Sequence, residues 1–186
     1  MIWLVIGLGN PGTGYRLTRH NVGFLVVERV ARTWGIPFKK RREGAQVGEG
    51  RVKRRRVVFV KPLTYMNRSG VAVKKLIEAL RVSLDHVVVV HDDLDLACGR
   101  IKIKKKGGHG GHKGVQSIIE LLGSDDFVRV KVGIDKPRGR TEGADYVLSP
   151  FTADERPLVK ESVEQAAHAI ETIIASGVDQ AMNQYN

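Results

Sequence analysis

Short runs of β-branched residues alternate along this chain with segments of helical period, and that alternation restricts the fold to an α/β domain whose sheet is covered by helices. Residues 2–6 read as a first strand. Phe24, Val27, Val30, Ala31 and Trp34 then recur at helical spacing behind Asn21, a residue type suited to an N-cap, and Gly35 with Pro37 supplies the stop. Residues 39–56 are very basic and fit two strands joined by a turn, running on into Val57–Val60. Val71, Leu76, Ile77 and Leu80 predict a helix. Val87–Val90 is a continuous apolar run, as in a central strand buried on both faces, whereas residues 101–105 alternate apolar with basic side chains like an edge or half-exposed strand. Val115, Ile118, Ile119 and Leu122 mark another helix up to Gly123, and Val128, Val130 and Val132 alternate with Arg129 and Lys131 as a further strand. Thr152 and Glu155 fit a capping box opening a long helix, whose stripe of Leu158, Val159, Val163, Ala166, Ile170 and Ile173 ends near Gly177.

A chain of 186 residues is long enough for one core, so residues 1–186 are expected to form a single domain, a twisted mixed sheet flanked by helices. Lys and Arg number 31 against 20 Asp and Glu, a net charge of +11. Such an excess favours polyanions, because neutralising phosphates releases their condensed counterions; solubility and surface ion pairing are the alternative source of the charge. Cys98 stands alone, which excludes a disulfide framework and a cysteine-based zinc site and fits a reducing cytoplasm. The start, Met1 to Gly7, is apolar but short, has no basic leader and runs into glycines, so it reads as a strand and not a signal peptide. No apolar stretch approaches the length of a membrane span.

Gly7-Leu8-Gly9-Asn10-Pro11-Gly12 matches the dinucleotide-binding pattern behind a strand. The surroundings do not fit it. Pro11 removes an amide that should meet a pyrophosphate, residues 15–20 separate the loop from the helix, and Glu28 falls within helical periodicity instead of ending a second strand. A nicotinamide-dependent oxidoreductase is therefore a weak reading, and no cofactor is expected.

The stretch continues Tyr15-Arg16-Leu17-Thr18-Arg19-His20-Asn21-Val22-Gly23. With the blocks Pro62-Leu63-Thr64-Tyr65-Met66-Asn67-Arg68-Ser69-Gly70, His91-Asp92-Asp93-Leu94-Asp95-Leu96, Gly107-Gly108-His109-Gly110-Gly111-His112 and Ser149-Pro150-Phe151, it resembles the bacterial-type peptidyl-tRNA hydrolases in order and spacing over nearly the whole chain. The resemblance implies hydrolysis of the ester joining a peptide to the 3′-terminal ribose of tRNA. It also implies a cytoplasmic monomer whose partner is peptidyl-tRNA, with no stable protein partner and no membrane.

Residue chemistry agrees with that implication. Ester hydrolysis near neutrality needs a base, and histidine titrates closest to that range, which makes His20 the candidate. A carboxylate on the other ring N–H would fix the tautomer and stabilise the imidazolium; the resemblance assigns that part to Asp92. No Gly-x-Ser-x-Gly elbow occurs, so water is the expected nucleophile. Asn10 and Asn67 can each donate and accept, and the resemblance places them, with Tyr15 and Tyr65, on the substrate. It likewise implies that Lys104 and Lys131 clamp a tRNA phosphate, Lys131 replacing the more usual arginine, beside a glycine loop that leads into a helix near His112. Lys113 stands where the family usually carries asparagine; lysine donates but does not accept, so it would not orient water in the same way. His109 and His112 lack the H-E-x-x-H pattern, and no metal is expected. The rival from another class is a non-catalytic RNA-binding relative, against which Asn10, His20, Asn67 and Asp92 together argue.

Overall fold

Strands that are apolar on both faces must be covered on both faces, and the two most apolar segments of this chain lie side by side at the centre of the sheet. They are β1 (Ile2–Gly7) and β5 (Val87–Asp93), paired in parallel with Leu4 opposite Val87 and Gly7 opposite Val90. The computed structural model describes residues 1–186, and its seven strands run in the order β2-β3-β4-β1-β5-β7-β6. β4 (Arg55–Pro62) flanks β1 in parallel and β7 (Val128–Gly133) flanks β5 in parallel. Antiparallel strands finish both sides: β2 (Lys40–Arg42) and β3 (Ala45–Val52) beyond β4, and β6 (Ile101–Lys104) beyond β7.

One face carries α1 (Val22–Thr33) and α5 (Glu155–Ser176), which bury Val5, Phe59, Val88, Val90 and Val130. The other carries α2 (Ser69–Leu80) and α3 (Lys113–Leu122), over Leu4, Ile6, Val58, Val60, Val87 and Val89. Two shorter helices complete the chain, α4 (Gly143–Val147) and α6 (Val178–Tyr185). The expected mixed sheet between helical layers is what forms. Because β4 and β5 lie on opposite sides of β1, the chain reverses its direction of winding there, and the crevice beyond the carboxyl ends of such strands is where open α/β sheets bind ligands.

Four local expectations change. Asn21 precedes α1 but does not cap it; its side chain is spent on the backbone of Asn10. Arg129 is 1% exposed, although its place in an alternating strand predicted an outward side chain. Leu158 is 45% exposed and leaves the apolar stripe of α5. In the basic segment the strands turn at Glu43-Gly44 and at Lys53-Arg54, all four with positive φ, the geometry that matches the twist of a two-residue hairpin. The capping box does form: the Thr152 N–H donates to Glu155 Oε2 at 2.7 Å, and the Glu155 N–H returns a bond to Thr152 Oγ1 at 3.4 Å.

Gly23, in the first turn of α1, lets the helix lie against the end of the sheet. A Cβ there would stand 2.4 Å from the Val90 carbonyl oxygen and 2.5 Å from the Leu8 nitrogen. Gly23→Ala is accordingly expected to lower stability by about 1–3 kcal/mol or more, read as a fall in the urea midpoint, because backbone and not a flexible side chain must give way.

Candidate active site

The last residues of β5 hold the centre of the site. Asp92 is 3% exposed, and a carboxylate in such a place must be matched by donors. His20 Nδ1–H reaches its two oxygens at 3.0 and 2.9 Å, and His112 Nε2–H donates to Oδ1 at 2.8 Å. Burial pushes the Asp92 carboxyl up, but the charges and hydrogen bonds of His112 and His20 outweigh it and hold the group well below the usual carboxylate range. Asp92 is thus an acceptor only. Each histidine must place a proton on the nitrogen facing it.

The remaining ring nitrogens then differ in use. His112 Nδ1 accepts the Val115 N–H at 3.3 Å, so His112 serves as the N-cap of α3 as well as a donor to Asp92. His20 Nε2 has no protein partner and is not sealed off, and His20 lines a cleft of about 290 Å³ with Lys113, Lys131, His109 and the Gly110-Gly111 backbone. A neutral imidazole in that tautomer presents a lone pair to the cleft.

His20 is held from behind by Arg19, which is buried. Its guanidinium donates to the Ser149 and Pro150 carbonyls at 3.3 and 2.7 Å, pairs with Glu155 at 2.6 Å, and stacks 4.1 Å from the centroid of Tyr146. The 149–155 segment is thereby tied to the loop that bears the base. Asn10 is fixed from two sides, its backbone by Asn21 and its Oδ1 by the Met66 N–H at 2.8 Å, which leaves its amide NH2 to donate.

Of the residues named from sequence, His20, Asp92, Lys113 and Lys131 line this cleft. Asn10 lines a separate trough with Asn21, the chain neighbour of His20. Asn67 is exposed in the 3-10 turn that begins at Met66, next to the residue bonded to Asn10, while Tyr65 is exposed and Tyr15 half-buried in the turn after Gly12. These three line neither cavity. Lys104 lies opposite Arg129 across the β6–β7 ladder; the residue opposite Lys131 is Lys102. Lys131 is also engaged, 2.7 Å from Asp93 Oδ2. Arg129 reaches Gly108 O at 2.9 Å and Asp125 O at 3.1 Å, bracing the glycine loop from below.

Sequence reasoning assigned no role to Lys102, Arg19, Arg129 or Asp93, and treated His112 chiefly as a loop residue. For Arg19 the available signal was its adjacency to His20; the others depend on strand register. His20, Asp92 and His112 bring ligand-type atoms within 4.8 Å of one another. Here those atoms are joined directly by hydrogen bonds, and His112 Nδ1 is already taken by the Val115 N–H, so a metal would have to displace two N–H donors from Asp92.

Fold and site define a class: a doubly wound α/β protein with a histidine–aspartate pair at the carboxyl ends of its central strands, beneath a lysine-bearing rim. The profile of the peptidyl-tRNA hydrolase family matches residues 4–186, and the chain belongs to that family. It is 47% identical over 185 residues to a peptidyl-tRNA hydrolase of Thermodesulfovibrio yellowstonii, covering 98% of each chain. To one of Mycobacterium sp. strain KMS it is 49% identical over 181 residues, 97% of this chain and 94% of the other. The crystal structure of peptidyl-tRNA hydrolase from Acinetobacter baumannii superposes with a TM-score of 0.94 at 35% identity, over 100% of this chain and 94% of that one. A complex of peptidyl-tRNA hydrolase with n-propanol gives 0.95 at 34% identity over the same shares.

His91 adds a titration to the cluster. It is buried, its Nδ1–H donates to the Asp92 carbonyl at 2.7 Å, its Nε2 has no partner, and burial with the charge of His112 holds it well below the ordinary histidine range. A histidine neutral when folded takes up a proton on unfolding once the pH falls below about 6.5, so its contribution is full above that value and is lost as pH falls. Asp92 acts in the same direction below about 4, where the unfolded carboxylate binds a proton that the folded one refuses. Urea titrations are expected to show stability declining from about pH 6.5 downward, at up to about 1.4 kcal/mol per pH unit per proton, and His91→Gln to flatten the limb between pH 6.5 and 5.

Proposed function

We propose that this chain hydrolyses the ester between a peptide and the 3′-terminal ribose of tRNA, releasing peptide and reusable tRNA. The observation that carries the mechanism is the open Nε2 of His20 in a ring whose Nδ1–H is committed to Asp92. In this reading Nε2 takes a proton from water as the water attacks the ester carbonyl, and the Asp92 carboxylate stabilises the imidazolium that results. The proton passes from the imidazolium to the departing ribose hydroxyl, which leaves carboxylic acid and alcohol with atoms balanced. The free NH2 of Asn10 is a neutral donor for a substrate carbonyl or the developing oxyanion.

The rim suits the RNA end. Lys113 is the first residue of α3, where a cation opposes the helix dipole, so its place is better explained by an anionic partner than by helix stability. Lys102 and Lys104 point out on the same face of β6, and with Lys131 they form a short cationic ladder for phosphate, tempered by Asp93. We read Lys102, across from Lys131, as the nearer phosphate ligand and Lys104 as its neighbour. Tyr15, Tyr65 and Asn67, exposed or half-buried beside the Asn10 loop, remain in reach of a substrate laid across it.

The test is release of peptide from N-acetyl-aminoacyl-tRNA in the presence of chelator. His20→Ala is expected to lower kcat by about 10²–10⁴-fold with substrate binding retained, and Asp92→Asn to fall in the same range. Binding without turnover by the unaltered protein would instead make it an RNA-binding relative.

A further inference from the structure

The most crowded positive charge in the chain lies away from the cleft. Five of the six residues from Arg51 to Arg56 are cationic and all five are exposed. None of them pairs with a carboxylate, whereas Lys40 and Arg42 of β2 share Glu49 at 3.4 and 4.0 Å. The run turns the β3–β4 hairpin through Lys53 and Arg54, at φ 46° and 67°. A two-residue turn with positive φ at both positions favours Asn-Gly, and Arg51 stands directly opposite Arg56, a like-charge pair that weakens a ladder. Neither turn geometry nor local electrostatics therefore accounts for the sequence. Protection of a sheet edge accounts for little more: the outer half of β3 has no further partner, but Arg55 and Arg56 belong to β4, which lies between β3 and β1.

We propose that this hairpin is a docking surface for the phosphate backbone of a base-paired RNA other than the acceptor stem of the substrate. A polyanion supplies what the hairpin lacks, counter-charge for five neighbouring cations, and binding is favoured further by release of its condensed counterions. Four of the five are arginines, whose planar forks suit phosphate. An anionic membrane calls for exposed apolar side chains among the cations; here Val52 and Val57 are buried. Position separates the hairpin from the substrate's 3′ end. β1 and β4 run in parallel with Arg56 beside Ile2, so the turn lies at the amino ends of strands whose carboxyl ends face the site. Along β4 the two ends are roughly 23 Å apart at about 3.3 Å per residue. Helical nucleic acid is stiff over such a length, so a stem seated in the cleft does not also lie on the hairpin. The two RNA contacts are independent, and a duplex held at the hairpin leaves the cleft open to substrate.

The experiment measures binding of a blunt, fluorescent RNA duplex by anisotropy between about 50 and 200 mM salt, together with kcat/KM on N-acetyl-aminoacyl-tRNA. Two double variants are compared with the unaltered protein. Lys53→Asn/Arg54→Gly installs the favoured turn, so its Tm is expected to rise while duplex binding weakens, a combination that a purely structural turn does not give. Arg55→Gln/Arg56→Gln leaves the turn as it is. In each variant the slope of log Kd against log salt is expected to fall by about 0.9 per phosphate contact removed, about 1.8 for the pair, with kcat/KM unchanged. The same Kd and slope in all three proteins overturn the inference and leave the charge to solubility. Parallel loss of kcat/KM overturns it in favour of the substrate's own tRNA lying on the hairpin. Loss of binding to phosphatidylserine vesicles with duplex binding retained overturns it in favour of a membrane surface. Duplex binding does not depend on turnover, so a protein that cleaves nothing would strike the proposed function while the anisotropy still decides this inference.

Discussion

A carboxylate buried at the end of a central strand has to be met by donors, and at Asp92 the donors are two imidazole N–H groups. Much else in the site is a consequence of that pairing. Because Asp92 stays ionised and accepts from both rings, it dictates the tautomer of each: His20 keeps Nε2 bare towards the cleft, and His112 keeps Nδ1 bare for the first turn of α3. One carboxylate thus orients the candidate base and also fixes where the glycine loop becomes helix. Desolvation works against the charge of Asp92, so removing either ring would leave an under-matched buried group.

The fold supplies that arrangement by bringing loop ends together from opposite sides of the winding reversal. β1 delivers Asn10 and β5 delivers Asp92, while Arg19 draws the 149–155 segment against the His20 turn and Arg129 braces the 107–111 loop. Both arginines are buried and each donates to two carbonyl oxygens, Arg19 also pairing with Glu155, which makes them struts and not contacts for substrate. The lysines differ: those at 102, 104 and 113 remain exposed around the cleft, so the basic character read from composition divides into an internal bracing part and an outward part.

Much of the architecture was legible because it rests on burial. Val87–Val90 is apolar on both faces and became central; Ile101 to Lys104 alternates and became an edge. The His20–Asp92 pair was legible through resemblance and not through spacing, since 72 positions separate the two residues. What escaped was set by tertiary geometry. Lys53-Arg54 turns a hairpin at positive φ without the Asn or Gly that would have announced it. Arg129 occupies an outward position in its strand that the glycine loop and Phe127 then cover. Asn21 had the chemistry of a cap but found better partners in the backbone of Asn10. Only register could show that Lys102, and not Lys104, faces Lys131.

The central claim is a distribution of protons: His20 protonated at Nδ1 and bare at Nε2, His112 the reverse, with Asp92 ionised between them. Nitrogen-15 NMR of the imidazoles in labelled protein near neutral pH reads this directly. The account predicts for His20 a protonated Nδ1 coupled to Asp92 and an Nε2 with the shift of an unprotonated nitrogen, and for His112 the opposite assignment. A His20 ring carrying its single proton on Nε2 would have no lone pair to offer water in the cleft, and would contradict the mechanism at its first step.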